Sequence, residues 1–296
     1  MSALAAGALT LATTGAAVDS ATAVDSATAA DHGGQPQWQL DPAFGNGGLV
    51  TTGFPVPDAR TAWAYDSVVS PDGRIVVVGP VTGKRDYETA AAARYLPNGS
   101  LDSSFDGDGR ALIGPHALFT PVAVALQDIG GQHKILMAVA TTYVKPYRYR
   151  CSVIRLNSNG SLDTNHDGDP AVTFGHDGIK VLEFPHNSGF CAGMAVQPDG
   201  KIVVTIEAGG NGGDVGVARL TRNGALDPGF GTDGEVTIQA PGYQIPQPVA
   251  LQPTAGGSPR IVVGGLVSRS HGYDWALWRL GANGALDTTF GNNGDV

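Results

Sequence analysis

One short stretch recurs along this chain and restricts its fold more than any other feature. Its clearest copy is Leu226-Asp227-Pro228-Gly229-Phe230-Gly231-Thr232-Asp233-Gly234, and relatives begin at Leu40-Asp41, Leu101-Asp102, Leu162-Asp163 and Leu286-Asp287. The five aspartates follow one another at steps of 61, 61, 64 and 60 residues. So regular a period means one supersecondary unit copied along the chain, and only arrays, solenoids and propellers are built that way.

Between copies the pattern is that of short strands. The chain holds 43 glycines and only 15% charged residues, a composition suited to strands and tight turns rather than helices. Each unit opens with a short apolar segment after the connector glycine: residues 49–53, 110–113, 179–184 and 235–239. A second strand lies near 67–70, 122–127, 192–197 and 249–252. Pro71-Asp72-Gly73 and Pro198-Asp199-Gly200 supply hairpin turns to the third strand, proline fixing φ and glycine accepting a positive φ. The third strands, such as Ile202-Val203-Val204, are unbroken apolar runs of the kind covered on both faces. The fourth ends in Arg94, Arg155, Arg219 or Arg279, and an Asn-Gly turn returns the chain to the next Leu-Asp.

Four antiparallel strands cannot bury both faces of one sheet, whereas radial stacking of such sheets can. The expected fold is therefore all-β: a β-propeller-like repeat of about four four-stranded blades, with units near 49–101, 110–162, 179–226 and 235–286. The alternatives are a β-solenoid or part of a larger propeller, with self-association of two chains as one way to complete a ring. The run Gln-Pro-Asp-Gly-Lys-Ile-Val-Val at 197–204, Ala-Arg-Leu at 218–220 and the connector at 223–234 resemble the bacterial delta-60 repeat family. That resemblance covers residues 40–296 and implies propeller blades; it implies no activity. Departures are Asp106 in the Phe-Gly position and an insertion that separates Asp163 from Phe174.

Residues 1–35 stand apart from the repeat domain at 36–296. An uncharged Ala/Leu/Gly/Thr stretch precedes a tandem Val-Asp-Ser-Ala-Thr-Ala, and Ala27-Thr28-Ala29 fits the small-x-small pattern of a secretory cleavage site. Secretion or a cell-surface location is the expectation, although no Lys or Arg precedes Arg60. A net charge of −9 argues against a nucleic-acid partner, and no long apolar run follows the N-terminus to span a membrane.

Function is sought where the copies differ. The Arg/Asp pairs at 94/102, 155/163, 219/227 and 279/287 recur in every unit and read as architecture. Loops between the first and second and between the third and fourth strands share one face and vary, which makes that face the expected ligand surface. Its most unusual segment carries Tyr143, Lys145, Tyr147, Arg148, Tyr149 and Arg150: aromatic rings for stacking on a sugar and cations for an anionic group, or the charges that guard an edge strand. Carbohydrate or another protein is the expected partner. The insertion sets Asp163, Asn165, Asp167 and Asp169 at calcium-loop spacing, with Phe174 where the closing acid belongs. Cys151 and Cys191 fall on adjacent units, as an inter-sheet disulfide or as two buried thiols. No catalytic set of histidines, no Gly-x-Ser-x-Gly and no phosphate loop is present. The expected role is a binding or structural scaffold module; the alternative is a propeller hydrolase or lyase acting on glycans or phosphate esters.

Overall fold

The computed structural model describes residues 9–12, 39–83, 88–114, 118–143, 148–164, 174–175, 177–184, 189–208, 213–239, 242–255 and 257–291. Among them every regular element is a strand, and the strands form four antiparallel sheets. The first sheet contains β2 (Thr61–Ala64), β3 (Asp66–Val69), β4 (Ile75–Thr82), β5 (Glu88–Tyr95) and β6 (Arg110–Ile113), with β1 (Leu9–Ala12) paired to β2. The second runs from β7 (Leu118–Ile129) through β8 (Gln132–Tyr143) and β9 (Arg148–Leu156) to β10 (Ile179–Leu182). The third orders β11 (Gly189–Val196), β12 (Ile202–Ala208), β13 (Asp214–Leu220) and β14 (Glu235–Ile238). In the fourth, β15 (Gln244–Thr254), β16 (Gly257–Arg269) and β17 (Gly272–Leu280) are the described strands.

The repeat in the sequence and the sheet in space are offset by one strand. Sequence pattern assigns the strand after each connector to the start of a new unit. In the structure it completes the previous sheet, β6 lying on β5, β10 on β9 and β14 on β13. The cause is local. Each connector folds back on the strand it has just left, so that Arg94, Arg155 and Arg219 give their backbone N–H to Gly109, Gly178 and Gly234 at 2.8–2.9 Å. The chain leaving that glycine is already beside the finished strand and simply continues as its neighbour. Residues 49–53, the corresponding segment before the first sheet, form no strand; Leu49 makes only an isolated bridge to Asn46.

Sheets stack face to face in chain order. Val76, Val78, Ala90 and Ala92 of the first meet Ile135, Met137, Val139 and Ile154 of the second. Leu136, Ala138, Cys151 and Val153 meet Ile202, Val204 and Ile206 of the third, and Val203, Val215 and Val217 meet Ile261, Val263, Ala276 and Trp278 of the fourth. The period-2 alternation of β8 and β12 thus serves two sheet-to-sheet interfaces at once, which explains their unbroken apolar runs.

A ring from each connector locks one sheet to the next. Phe105, Phe174 and Phe230 are fully buried, each burial contributing about 2 kcal/mol. They lie on the Asn-Gly turns of the following sheets. A Cβ added to Gly224 (φ 83°) would stand 2.9 Å from the Phe174 ring, so glycine is required there by both backbone and neighbour. The same joint is pinned by backbone bonds from Asp106 N to Asn159 O at 2.7 Å and from Gly231 N to Asn283 O at 2.8 Å.

The inner strands share a further irregularity. One extra residue interrupts each: between Pro121 and Ala123 in β7, between Cys191 and Gly193 in β11, and between Pro246 and Val249 in β15. In the first sheet the break at Tyr65 divides the inner strand into β2 and β3. Four bulges at equivalent heights bend the inner strands around a common axis. There β11 and β15 approach so closely that a Cβ on Gly193 would be 2.9 Å from the Pro248 Cα.

Candidate functional site

The recurring arginine and aspartate form a structural cluster. Arg94, Arg155, Arg219 and Arg279 donate from Nε to Asp102, Asp163, Asp227 and Asp287 at 2.9, 2.6, 2.8 and 3.0 Å. Each guanidinium also covers its connector ring, 4.4–4.8 Å from the centroids of Phe105, Phe174, Phe230 and Phe290. Each aspartate takes a second cation from the neighbouring strand: Arg74 at 2.8 Å, Lys134 at 3.1 Å, Lys201 at 3.2 Å and Arg260 at 3.1 Å. Three of the arginines reach into the following sheet, where Nη1 donates to the carbonyls of Ser158, Arg222 and Ala282. Burial alone would raise the Asp102 and Asp227 carboxyls, but hydrogen bonds from Ser104 or Gly229 and the paired cations bring both below the usual carboxylate range. These groups saturate one another and leave nothing for a substrate.

A crevice of about 480 Å³ between the first and second sheets is lined by the same machinery, with Arg74, Arg94 and Ser104 on one side and His133 and Asn159 on the other. It belongs to the architecture. The second concavity, about 360 Å³, is of another kind, because the inner strands of all four sheets line it. Ala64 and Tyr65, Val122, Phe190 to Ala192, and Ile245 to Gln247 are its walls, at and beside the four bulges. Phe190 and Ile245 lie near the beginnings of β11 and β15, which sets the pocket toward the variable segments that lead into those strands. A bulge re-aims the side chains around it, which is how an otherwise packed axis comes to hold a cavity.

The polar groups of this axial pocket are few. Glu207 reaches it from β12 and accepts a hydrogen bond from the Tyr243 hydroxyl. That bond, helped by burial and the Glu207 charge, pushes the Tyr243 phenol up to about 12, so it stays a donor at neutral pH. Tyr65 is also raised, by burial first and then by the Glu88 charge, and Glu88 is itself bonded to Thr120 of β7. Tyr65 and Phe190 expose 47% and 36% of their surfaces, large areas for aromatic residues in a concave wall. Exposed rings beside a carboxylate and the amide of Gln247 suit a ligand that has both C–H faces and hydroxyl groups.

Of the residues singled out from the sequence, Cys191 alone among the described ones lies in this wall. Tyr143, Arg148, Tyr149 and Arg150 belong to the β8–β9 hairpin on the same face, while Lys145 and Tyr147 are outside the described residues. β10 pairs with β9 at residues 151–154. Arg150 pairs with Glu183. Arg150 is not among the described residues that line the axial pocket. Asp163 gives one carboxylate oxygen to Arg155 and the other to Lys134. Asn165, Asp167 and Asp169 lie outside the described residues, among which no group of three or more His, Cys, Asp or Glu gathers. Cys151 of β9 and Cys191 of β11 form a disulfide, Cα to Cα 4.7 Å, tying the second sheet to the third beside the pocket. Among the described residues no helix is long and apolar enough to cross a membrane. Phe190 and Tyr243 fall in the segments that vary between units, whereas Tyr65 sits at the break between β2 and β3 and Glu207 inside β12. Only the broken alternation at each bulge could have drawn attention to Tyr65.

The geometry agrees with what comparison finds. Four segments, residues 70–105, 147–165, 197–230 and 260–290, match the family model described as "Domain of unknown function (DUF5122) beta-propeller". Each contains part of one repeat unit, so the match and the four sheets are two views of one propeller-type architecture. Among solved structures, the alpha-L-arabinofuranosidase from Lactobacillus brevis is similar, with a TM-score of 0.41 at 15% identity over 76% of this chain and 69% of that one. No curated protein matches the chain.

Proposed function

We propose that the chain is an exported binding module that takes a carbohydrate in its axial pocket. The observation that carries this reading is the pocket at the four bulges, where Tyr65 and Phe190 expose aromatic surface next to Glu207 and Gln247. A sugar ring offers C–H groups to such rings and hydroxyl groups to the carboxylate and amide. A hydrolase acting on glycans would need two carboxylates flanking the scissile bond at about 5–10 Å. Glu207 is the single acid among the described residues that line the pocket, and this favours binding over turnover.

Titration of the protein with a panel of soluble mono- and oligosaccharides, followed by calorimetry, tests the reading. At least one sugar is expected to bind, and Phe190→Ala is expected to weaken it about tenfold, the value of one aromatic contact of about 1.4 kcal/mol. If no sugar binds, or if affinity is unchanged in both Phe190→Ala and Tyr65→Ala, the pocket is not the site. Release of a reducing sugar that stops in Glu207→Gln would replace the binding module by an enzyme.

A further inference from the structure

The crevice between the first and second sheets traces to one residue. Near the end of β7 in the second sheet, Gln127 is 0% exposed, and its amide fills the junction with the third sheet. Its Oε1 accepts from Arg155 Nη1 at 3.0 Å. Its Nε2 donates to Gly200 O at 2.7 Å and to Arg222 O at 3.1 Å, both in turns of the third sheet. Gln197 is buried at the same place in the third sheet, 4% exposed, and Gln252 of the fourth accepts from Arg279 Nη1 at 3.1 Å. A glutamine amide is thus a regular part of the joint.

The first sheet has Ser70 at this place. The following turn fixes the match, because Ser70 N bonds to Arg74 O at 2.8 Å as Gln197 N bonds to Lys201 O at 2.8 Å. The Ser70 hydroxyl bonds within its own turn, to Asp72 and to Arg74 O. In the second sheet the counterparts of Gly200 and Arg222 are His133 and Ser158, the residues before Lys134 and Asn159. Both line the crevice of about 480 Å³, together with Ser70 and Arg94. Arg94 Nη1 donates to Ser158 O as Arg155 Nη1 donates to Arg222 O. The amide oxygen that Arg155 also holds has no counterpart among the described bonds of Arg94. This junction keeps the guanidinium and the turns of an amide site, and the chain supplies no amide to it.

We propose that this crevice binds a primary carboxamide carried by a ligand, in the place that Gln127 fills at the next junction. The walls select the group. A guanidinium N–H calls for an acceptor, and the turn carbonyls call for donors. A carboxamide carries both in one plane. A carboxylate or phosphate would set acceptors against the carbonyls, beside the Asp72 carboxylate that also lines the crevice. The volume of about 480 Å³ leaves room for the rest of a small ligand. Free glutamine and the glutamine side chain of a peptide both bring this group.

Calorimetric titration of the full chain tests this, with L-glutamine and with a glutamine peptide blocked at both ends, each beside its glutamate counterpart. At least one of the two carboxamides is expected to bind. Its glutamate counterpart should bind about tenfold more weakly or not at all, since it leaves the carbonyls without donors. Binding of the free amino acid alone, or of the blocked peptide alone, tells which source the site takes. Ser70→Gln supplies the amide from the chain itself, and it is expected to abolish binding while raising the melting temperature. Failure of both carboxamides to bind at millimolar concentration overturns the proposal. So does equal affinity for glutamine and glutamate, or binding that survives in Ser70→Gln. If Ser70→Gln loses binding but melts lower or does not fold, the comparison of glutamine with glutamate on the unaltered chain decides alone.

Discussion

At the scale of single residues, the repeated aspartate gains its importance from what surrounds it. Asp227 is 7% exposed, bonded to Arg219 and Lys201, and capped by the Gly229 N–H at 3.1 Å. Asp41 occupies the same place in the repeat and is exposed, and its carboxylate accepts only the Ala43 N–H among its described hydrogen bonds. Removing one partner of a buried pair leaves the other charged and desolvated, at a cost of about 3–5 kcal/mol, whereas an exposed change of this type costs about 0.5 kcal/mol. Asp227→Ala is therefore expected to lower the urea unfolding free energy by about 3 kcal/mol and Asp41→Ala by less than about 1 kcal/mol. Equal losses would mean that the aspartate acts through the connector turn alone. Sequence already marked these pairs as architecture, because a group that recurs in every unit is poorly suited to be a unique catalyst. It did not show the second cation, since Lys201 and Asp227 are 26 residues apart and only the fold joins them.

Among the elements, the connector shows how closely turn chemistry and packing are coupled. Gly231 has φ 56°, and a Cβ there would lie 2.1 Å from the Glu235 carbonyl oxygen. Gly47 has φ 66° with nothing within 4 Å of the added atom. Gly47→Ala is thus expected to cost about 1 kcal/mol, the price of a left-handed backbone for an L-residue, and Gly231→Ala several times as much. Chemical denaturation of the two variants separates the backbone contribution from the steric one; similar losses would show that the crowding relaxes freely. Strand identity was legible in the apolar runs and turns because both are local signals. Membership of the strand after the connector was not, since the pairing of β10 with β9 depends on how the connector folds back. The bulges were equally hidden, because one extra residue in an inner strand resembles any other apolar residue until its partner strand is known.

For the whole molecule, the repetition predicts a collective response to acid. Asp102 and Asp227 are held below their ordinary value of 3.8, hydrogen bonds and cations outweighing the burial that opposes them. A carboxyl with a depressed folded pKa stabilises the fold at pH above 3.8, and that stability is lost as pH falls through the folded value. The melting temperature is therefore expected to be insensitive to these groups between about pH 5 and 8 and to fall steeply below about pH 4, as several sheet junctions weaken together. A melting series across that range checks it, and a profile that instead rises below pH 4 would contradict the assignment. The overall architecture was readable because one period governs nearly the whole chain. The axial pocket was not, since its wall takes one short piece from each of four units that are about sixty residues apart.

The offset between repeat and sheet bears on how such a chain can be divided. A cut at a connector, the boundary that the sequence advertises, strips the outer strand from the sheet before it and leaves that strand as an orphan on the next fragment. A cut in the variable segment, between Ile238 and Gln244 for instance, keeps every described strand with its own partners. The units overlap like roof tiles, so the natural place to add or remove one is a strand's length beyond the place where the pattern begins again.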